Sequence, residues 1–555
     1  MDDVYRAWAT WEREHTQEAQ QVLLERAAVA CAQFRACPTE HDAPAVWAWA
    51  MRVVRAWLDY EGRIDPRQED VREARAQHAD VVRATLGILR NASLSGAYAC
   101  QALAHTDTLA QLCAMCVAYE RMSEPALLVM IRVLTQLLVN LVTRHEAVRD
   151  TLWTLLAVPP NEAGVAGETI LRLLSSADDR TSLAAHVFLL NSAAPHTCHS
   201  LVHTAHGRRV LQVVLASYDA ALVHEASDTL HVILALSSRL CAHGHWGPLL
   251  QALGPTEDMN ASQLALVRTL IDNMHMNEEG VLASMIACLE PLVGMVTDLS
   301  RATTQCLATI QADPAQVPRL VRAHVGLLAL LEAVHVMALH AQETPSNESA
   351  RILADMRSSD MIHACIELLR EARAFVPPRP PFQPAAPAVQ ADAHERPSQL
   401  HTPQPDDDRP GLPYLKRTAL QVLGTLAFRA QGTSWDDVHA FQDRVREAGG
   451  LIEVLSLTQL DELNPYIREH AIFALRNLLD RNPTSQDHVA QLRPIRRCCS
   501  PAPNLDARRA RRSCAMASSN ECIERMWESI SIDVATCISS RSCRRFSAST
   551  SSVTD

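Results

Sequence analysis

The stretch "PHTCHSLVHTAHGRR" is where this sequence comes nearest to chemistry. His199, His203 and His206 recur at i, i+4 and i+7, the spacing of one helical face, with His196 and Cys198 just upstream. Imidazole nitrogens sharing a face are borderline-soft donors, the kind that hold zinc or copper. A second group, Cys241, His243 and His245 at alternate positions, begins 35 residues after His206. A chain with 24 histidines forms such groupings by composition alone, so the expectation is no bound metal and no cofactor. His199, His203 and His206 are the residues a metal-handling (copper-handling) protein would use. Cys113 and Cys116 have no second pair nearby and lie in an apolar helical run, the setting of core thiols.

No phosphate-cradling loop, dinucleotide glycine motif, nucleophile elbow, kinase set or His-Glu-x-x-His helix is present. No nucleophile, base and oxyanion donor can be assembled from local motifs, which sets enzyme activity aside. The net charge is −12, and residues 494–555 are arginine-rich, so the body before them is more acidic still. An acidic body lacks the clustered positive charge of a nucleic-acid footprint. No uncharged apolar run reaches about 18 residues and the N-terminus has no signal-peptide pattern, so a cytoplasmic chain with no membrane span is expected. The 16 cysteines are then buried thiols, not disulfides.

The elements that must carry these residues are helices. Aromatics are few, Ala and Leu dominate the apolar set, and nearly every window from residue 1 to 372 has helical periodicity, as in "LLVMIRVLTQLLVNLVTRH". An apolar helix with Asn near its end recurs at Asn91, Asn140 and Asn191, at intervals of 49 and 51 residues, and again at Asn477. That is slightly longer than the ~40–47 residues of an armadillo or HEAT unit. Units of this kind cover one another's apolar faces, so the expected fold is all-α: an armadillo/HEAT-like helical repeat superhelix, or α-solenoid. The interior Asn is expected to tie one helix to the next.

Four segments follow from texture. Residues 1–372 are helical repeats. Residues 373–411 hold most of an eleven-proline run and read as a disordered linker, a polyproline docking ligand being the less economical reading. Residues 412–493 resume helical pattern. Residues 494–555 lose it and hold six of the cysteines, the texture of a disordered extension or a mis-assembled gene model. Lysine occurs once, at Lys416, which looks like coding bias toward arginine.

The third segment contains "ELNPYIREHAIFALRNLLDRNP". Asn464 reads as an N-cap with Pro465 at the first helical position. Ile467, Ala471, Ala474, Leu475, Leu478 and Leu479 form one apolar arc. Phe473 projects from the other side among Glu469, Arg476 and Asp480. That is either a two-sided core helix of a stacked repeat or a docking patch in which Arg468, Glu469, Phe473 and Arg476 meet a partner.

This stretch resembles the C-terminal signature of the ataxin-10 family. The match runs through Gly449, Gly450, Asp461, Asn464, Pro465, Tyr466, Ile467, Arg468, Glu469, Ala471, Ile472 and Phe473, then Ala474, Leu475, Arg476, Asn477, Leu478, Leu479 and Gln486. His470 stands where relatives usually have Trp, and Ser485 where Asn is expected. The resemblance covers roughly residues 412 to 493. It implies a cytosolic, armadillo-like protein without enzymatic activity, of a family linked to cytokinesis; the solenoid itself reads as a scaffold that binds other proteins, a second copy of the chain among the candidates. Relatives in animals are linked to neuronal survival, and some fungal ones carry a copper-transport name that identifies no ligand. A peptide-holding transport adaptor is the other binding-class reading, and it would need a ladder of Asn and Trp along one face.

Overall fold

The computed structural model describes residues 1–36, 42–64, 72–118, 121–157, 165–276, 281–310, 314–376, 412–431, 433–459, 461, 464 and 466–492. The proline-rich and C-terminal segments therefore fall almost entirely outside the described residues. What is described is helical, without a strand among those residues, and divides into two units, residues 1–361 and residues 362–555. The all-α helical-repeat fold expected from the sequence is the fold found.

In the first unit, helices at repeat spacing stack side by side. Gln17–Ala36 packs on Arg72–Ala92, which packs on Pro125–Arg144, then Asp179–Ser192, then Ser227–Ala242. Ser227–Ala242 is covered in turn by Ala261–Met276 and Val281–Thr309, and Val317–Glu343 packs on both. A helix flanked on two sides must be apolar over most of its girth. In Pro125–Arg144, Leu127, Met130, Ile131, Leu134, Leu137, Leu138, Leu141 and Val142 are all buried. Val317–Glu343 is the one helix among the described residues long and apolar enough to cross a membrane, and half of its apolar window is buried against its neighbours.

Helix ends follow local chemistry. Pro occupies the first turn of Ala43–Glu61, Pro125–Arg144, Pro195–His203, Val317–Glu343 and Pro483–Gln491, where its missing N–H costs nothing. Side-chain oxygens of Asp178, Thr204, Ser346, Ser434 and Asn482 accept from first-turn amides. Short helices close the stack along its side. Trp246–Leu253 lies so near Val281–Thr309 that a Cβ on Gly247 would sit 2.4 Å from Cγ of Pro291.

The second unit takes in Met361–Phe375 from Ile362 onward and continues after the undescribed segment with Leu415–Ala427, Trp435–Glu447, Gly450–Ser456, Ile467–Leu479 and Pro483–Gln491. Arg373 forks onto Glu453 at 2.9 and 3.3 Å, and Arg370 donates to the Ala448 carbonyl at 3.1 Å. The helix before the proline-rich run is thus tied to those after it. Leu415–Ala427 and Ile467–Leu479 are its most closely packed pair, and Gly424 permits this, because a Cβ there would meet Ala474 and the Phe473 ring at 3.2 Å.

Candidate functional site

The recurring asparagines do structural work at one position per repeat. Nδ2 of Asn91 donates to the Cys31 carbonyl at 2.9 Å, and that of Asn140 to the Arg90 carbonyl at 2.7 Å. Asn191 donates to the Thr143 hydroxyl at 2.7 Å, and Asn477 to the Gly424 carbonyl at 2.9 Å. Two of these acceptors, the Arg90 and Gly424 carbonyls, lie in the last turn of a helix, where carbonyls have no partner within their own helix. The next repeat supplies the donor. Arg239 fills the same post one repeat after Asn191, reaching the Leu190 carbonyl at 2.7 Å and that of Ala193 at 3.3 Å. A search for Asn passes over it. These amides are spent on neighbouring helices, and Trp47, Trp49, Trp57 and Trp246 are buried, so the Asn and Trp face that a peptide-holding adaptor needs is not formed by them.

In the second unit the signature separates into an interior and a face. The apolar arc of Ile467, Ala471, Ala474, Leu475, Leu478 and Leu479 is buried as expected. Asn464 does not cap the helix. The helix starts at Ile467, and Tyr466 precedes it in the left-handed region at φ 63°. Asn464 is instead fully buried and donates through Nδ2 to Oδ2 of Asp461 at 2.9 Å. The same Asp461 oxygen accepts a hydrogen bond from Lys416 Nζ at 2.7 Å, and Nζ also donates to the Val376 carbonyl at 3.1 Å. Lys416 and Asp461 side chains are 2% and 1% exposed. Pro465 lies outside the described residues.

Farther along, Asn482 caps the last helix by accepting from Ser485 N–H at 2.9 Å, and Gln442 donates to the Asn477 carbonyl at 2.8 Å. Gln486 donates to the Leu479 carbonyl at 2.8 Å. Signature polar residues here therefore hold helices together.

The face is made of what remains. Glu469, Phe473 and Arg476, at i, i+4 and i+7, are exposed along one side of Ile467–Leu479, and Arg468 is exposed one step around. Phe473 is 43% exposed and Tyr466 72%, a large aromatic outlay to leave in water. Among the described residues, none of Arg468, Glu469 and Arg476 is engaged in an ion pair. On the adjoining helix, Arg417 lies 4.6 Å from the Tyr414 ring centre, and Tyr414 is 43% exposed. His470 is half-buried between these groups. Burial and then the neighbouring Arg417 charge lower its pKa, so the ring is neutral near pH 7.

The histidine run in the first unit is rearranged. Thr204 breaks it: the residue is extended, ends Pro195–His203, and caps Ala205–Val223 through Oγ1 on the Gly207 N–H at 2.9 Å. His206 therefore rides a different helix and leaves the expected face, with Nε2 buried and unpartnered. His199 and His203 stay together, and His245 joins them, the three offering nitrogens within 4.8 Å of one another. Cys113 and Cys116 are fully buried, and burial pushes the Cys113 thiol up to about 12 and that of Cys116 higher still, as inert core thiols require.

Residues 415–510 match the family model described as "Spinocerebellar ataxia type 10 protein domain". The curated relatives include an "Ataxin-10 homolog" of Candida albicans, 48% identical over 78 residues, which are 14% of this chain and 15% of the relative. Homologs of the same name from Dictyostelium discoideum and Kluyveromyces lactis are 34% identical over 74 residues and 37% over 81. Those stretches are 13% and 15% of this chain, and 11% and 14% of the relatives. The similarity is thus confined to a small part of each protein. A crystal structure of an engineered protein aligns over 86% of this chain and 99% of its own, at 13% identity and a TM-score of 0.33, a likeness too loose to build on.

Proposed function

We propose that this chain, whose residues 415–510 match the ataxin-10 domain, is a non-catalytic helical-repeat scaffold that docks protein partners on the exposed face of Ile467–Leu479 in the cytoplasm. Its role in this reading is in cell division, specifically cytokinesis. One observation carries the docking assignment: the same short helix buries its apolar arc and pins its polar signature inward, yet leaves Phe473, Arg468, Glu469 and Arg476 in water. Aromatic and Arg side chains are the residues that anchor protein interfaces. Neutral His470 and the Tyr414–Arg417 pair extend the face onto the adjoining helix.

The test is co-purification from dividing cells, wild type beside a Phe473→Ala/Arg476→Glu variant. Arg476 is exposed and Phe473 is 43% exposed, its ring also packing near Gly424, so helicity should be unchanged and the thermal midpoint lowered only modestly while partners specific to the wild type are lost. A variant that folds normally and keeps every partner overturns the assignment.

A further inference from the structure

We infer that His199, His203 and His245 form a binding site for one borderline divalent cation, zinc or copper(II), separate from the docking face. His199 and His203 lie one turn apart on Pro195–His203, with ring centres 4.2 Å apart and planes inclined by 34°. His245 arrives from a distant part of the sequence at the start of Trp246–Leu253, its ring centre 5.7 Å from that of His199 and 6.1 Å from that of His203. One nitrogen from each lies within 4.8 Å of the others. A tetrahedral ion with nitrogens at about 2.0–2.1 Å spaces them roughly 3.4 Å apart, so side-chain rotations of about an ångström close the site.

The third ligand is held in place by its backbone. Gly244 adopts φ 71°, which turns the chain so that the His245 N–H reaches the Leu240 carbonyl at 2.8 Å. Nε2 of His245 lies 3.4 Å from the Pro195 carbonyl. A proton kept on Nε2 by that oxygen leaves Nδ1 as the lone-pair nitrogen, the orienting contact usual for metal-bound imidazole.

The chemistry of the donors selects the ion. Three imidazoles and no carboxylate exclude the hard cations magnesium and calcium, which need oxygen. Zinc and copper(II) fit, with copper(II) the tighter by the ordinary ordering of divalent metals. Three protein ligands leave a fourth position for water or for a group on another molecule.

The experiment uses the full chain freed of metal and titrated separately with Co²⁺, followed by visible absorption, and with Zn²⁺ and Cu²⁺, followed by calorimetry. Wild type is expected to take up one equivalent, with the absorption bands of a four-coordinate cobalt ion that one equivalent of Zn²⁺ abolishes. His203→Ala and His245→Ala are each expected to weaken Zn²⁺ at least about tenfold, and His206→Gln/His243→Gln to leave it unchanged. His203 and His243 are exposed and His206 and His245 half-buried, so circular dichroism should show unaltered helicity in all variants. Absence of a stoichiometric equivalent overturns the site. So does full affinity in His245→Ala, or loss of binding in His206→Gln/His243→Gln. None of these readouts depends on a protein partner.

Discussion

Replacing Asp461 by Ala strands the charge of Lys416 in the interior. The lysine ammonium has two acceptors, Asp461 Oδ2 at 2.7 Å and the Val376 carbonyl at 3.1 Å, and both side chains of the pair are essentially without water. Breaking a buried pair by removing one partner costs about 3–5 kcal/mol, because the remaining charge keeps its desolvation penalty and loses its compensation. The second unit should loosen by that amount. At about 1.4 kcal/mol per decade, amide exchange in Leu415–Ala427 and Ile467–Leu479 should accelerate by roughly a hundred- to several-thousandfold. Exchange read by mass spectrometry is the suitable assay, since it reports these helices separately from residues 1–361.

The mechanism also has a rescue. Lys416→Met together with Asp461→Asn removes both charges, keeps an acceptor for the Asn464 amide, and should recover exchange to within about 1–2 kcal/mol of wild type, as neutral replacement of buried pairs commonly does. Lys416→Arg should not be neutral, because a planar guanidinium is bulkier than the ammonium the site encloses. An Asp461→Ala chain whose exchange rises less than about tenfold, or a double variant no better than the single, would refute the reasoning.

Three further outcomes are expected. Asn140→Ala removes the 2.7 Å bond to the Arg90 carbonyl and should cost about 0.5–1.5 kcal/mol, seen as a roughly two- to tenfold rise in exchange confined to the end of Arg72–Ala92. Asp178 is held down to about 2 by Arg132 and by Thr181. Its folded pKa is depressed, so its contribution is present above the unfolded value near 3.9 and is lost as pH falls toward 2; Asp178→Asn should flatten that part of the pH dependence of the urea midpoint. Gly247→Ala places a methyl 2.4 Å from Pro291 and should cost about 1–3 kcal/mol by overpacking, read as a lower midpoint of thermal unfolding.

The repeat was legible because its signal is periodic and physical. A helix enclosed on two sides has to be apolar nearly all round, and it leaves end carbonyls that the next repeat must satisfy. Asn140 and Asn477 advertise that second need, while Asn91 and Asn191 tie helices together through a mid-helix carbonyl and a hydroxyl. Arg239 meets it with a different side chain, so a reading by residue type stops one repeat early. The place of Lys416 is a signal that composition does not carry. Leu412, Leu415, Ala419, Leu420 and Leu423 are buried around its position on the helix. An arc of apolar neighbours at helical spacing places a charge indoors, and an indoor charge requires a partner.

The two local misreadings share a cause: a backbone turn that the side-chain pattern does not display. Asn464 followed by Pro465 has the form of a helix start, yet the chain enters the helix only after Tyr466 turns through positive φ, and the asparagine is left pointing at Asp461. His206 continues the i, i+4, i+7 count, yet Thr204 ends one helix and caps the next, a signal visible in its hydroxyl and in Gly207 three residues on. His245 stood out locally only as one of the Cys241, His243 and His245 group, and nothing in the sequence joined it to His199 and His203, which it reaches through packing of Pro195–His203 against Trp246–Leu253. Helical spacing therefore identifies candidate ligands only up to the next cap. Beyond it, the stacking of repeats decides which side chains meet, and a cluster assembled that way from two separate helices is less readily ascribed to a histidine-rich composition than the linear run that first suggested it.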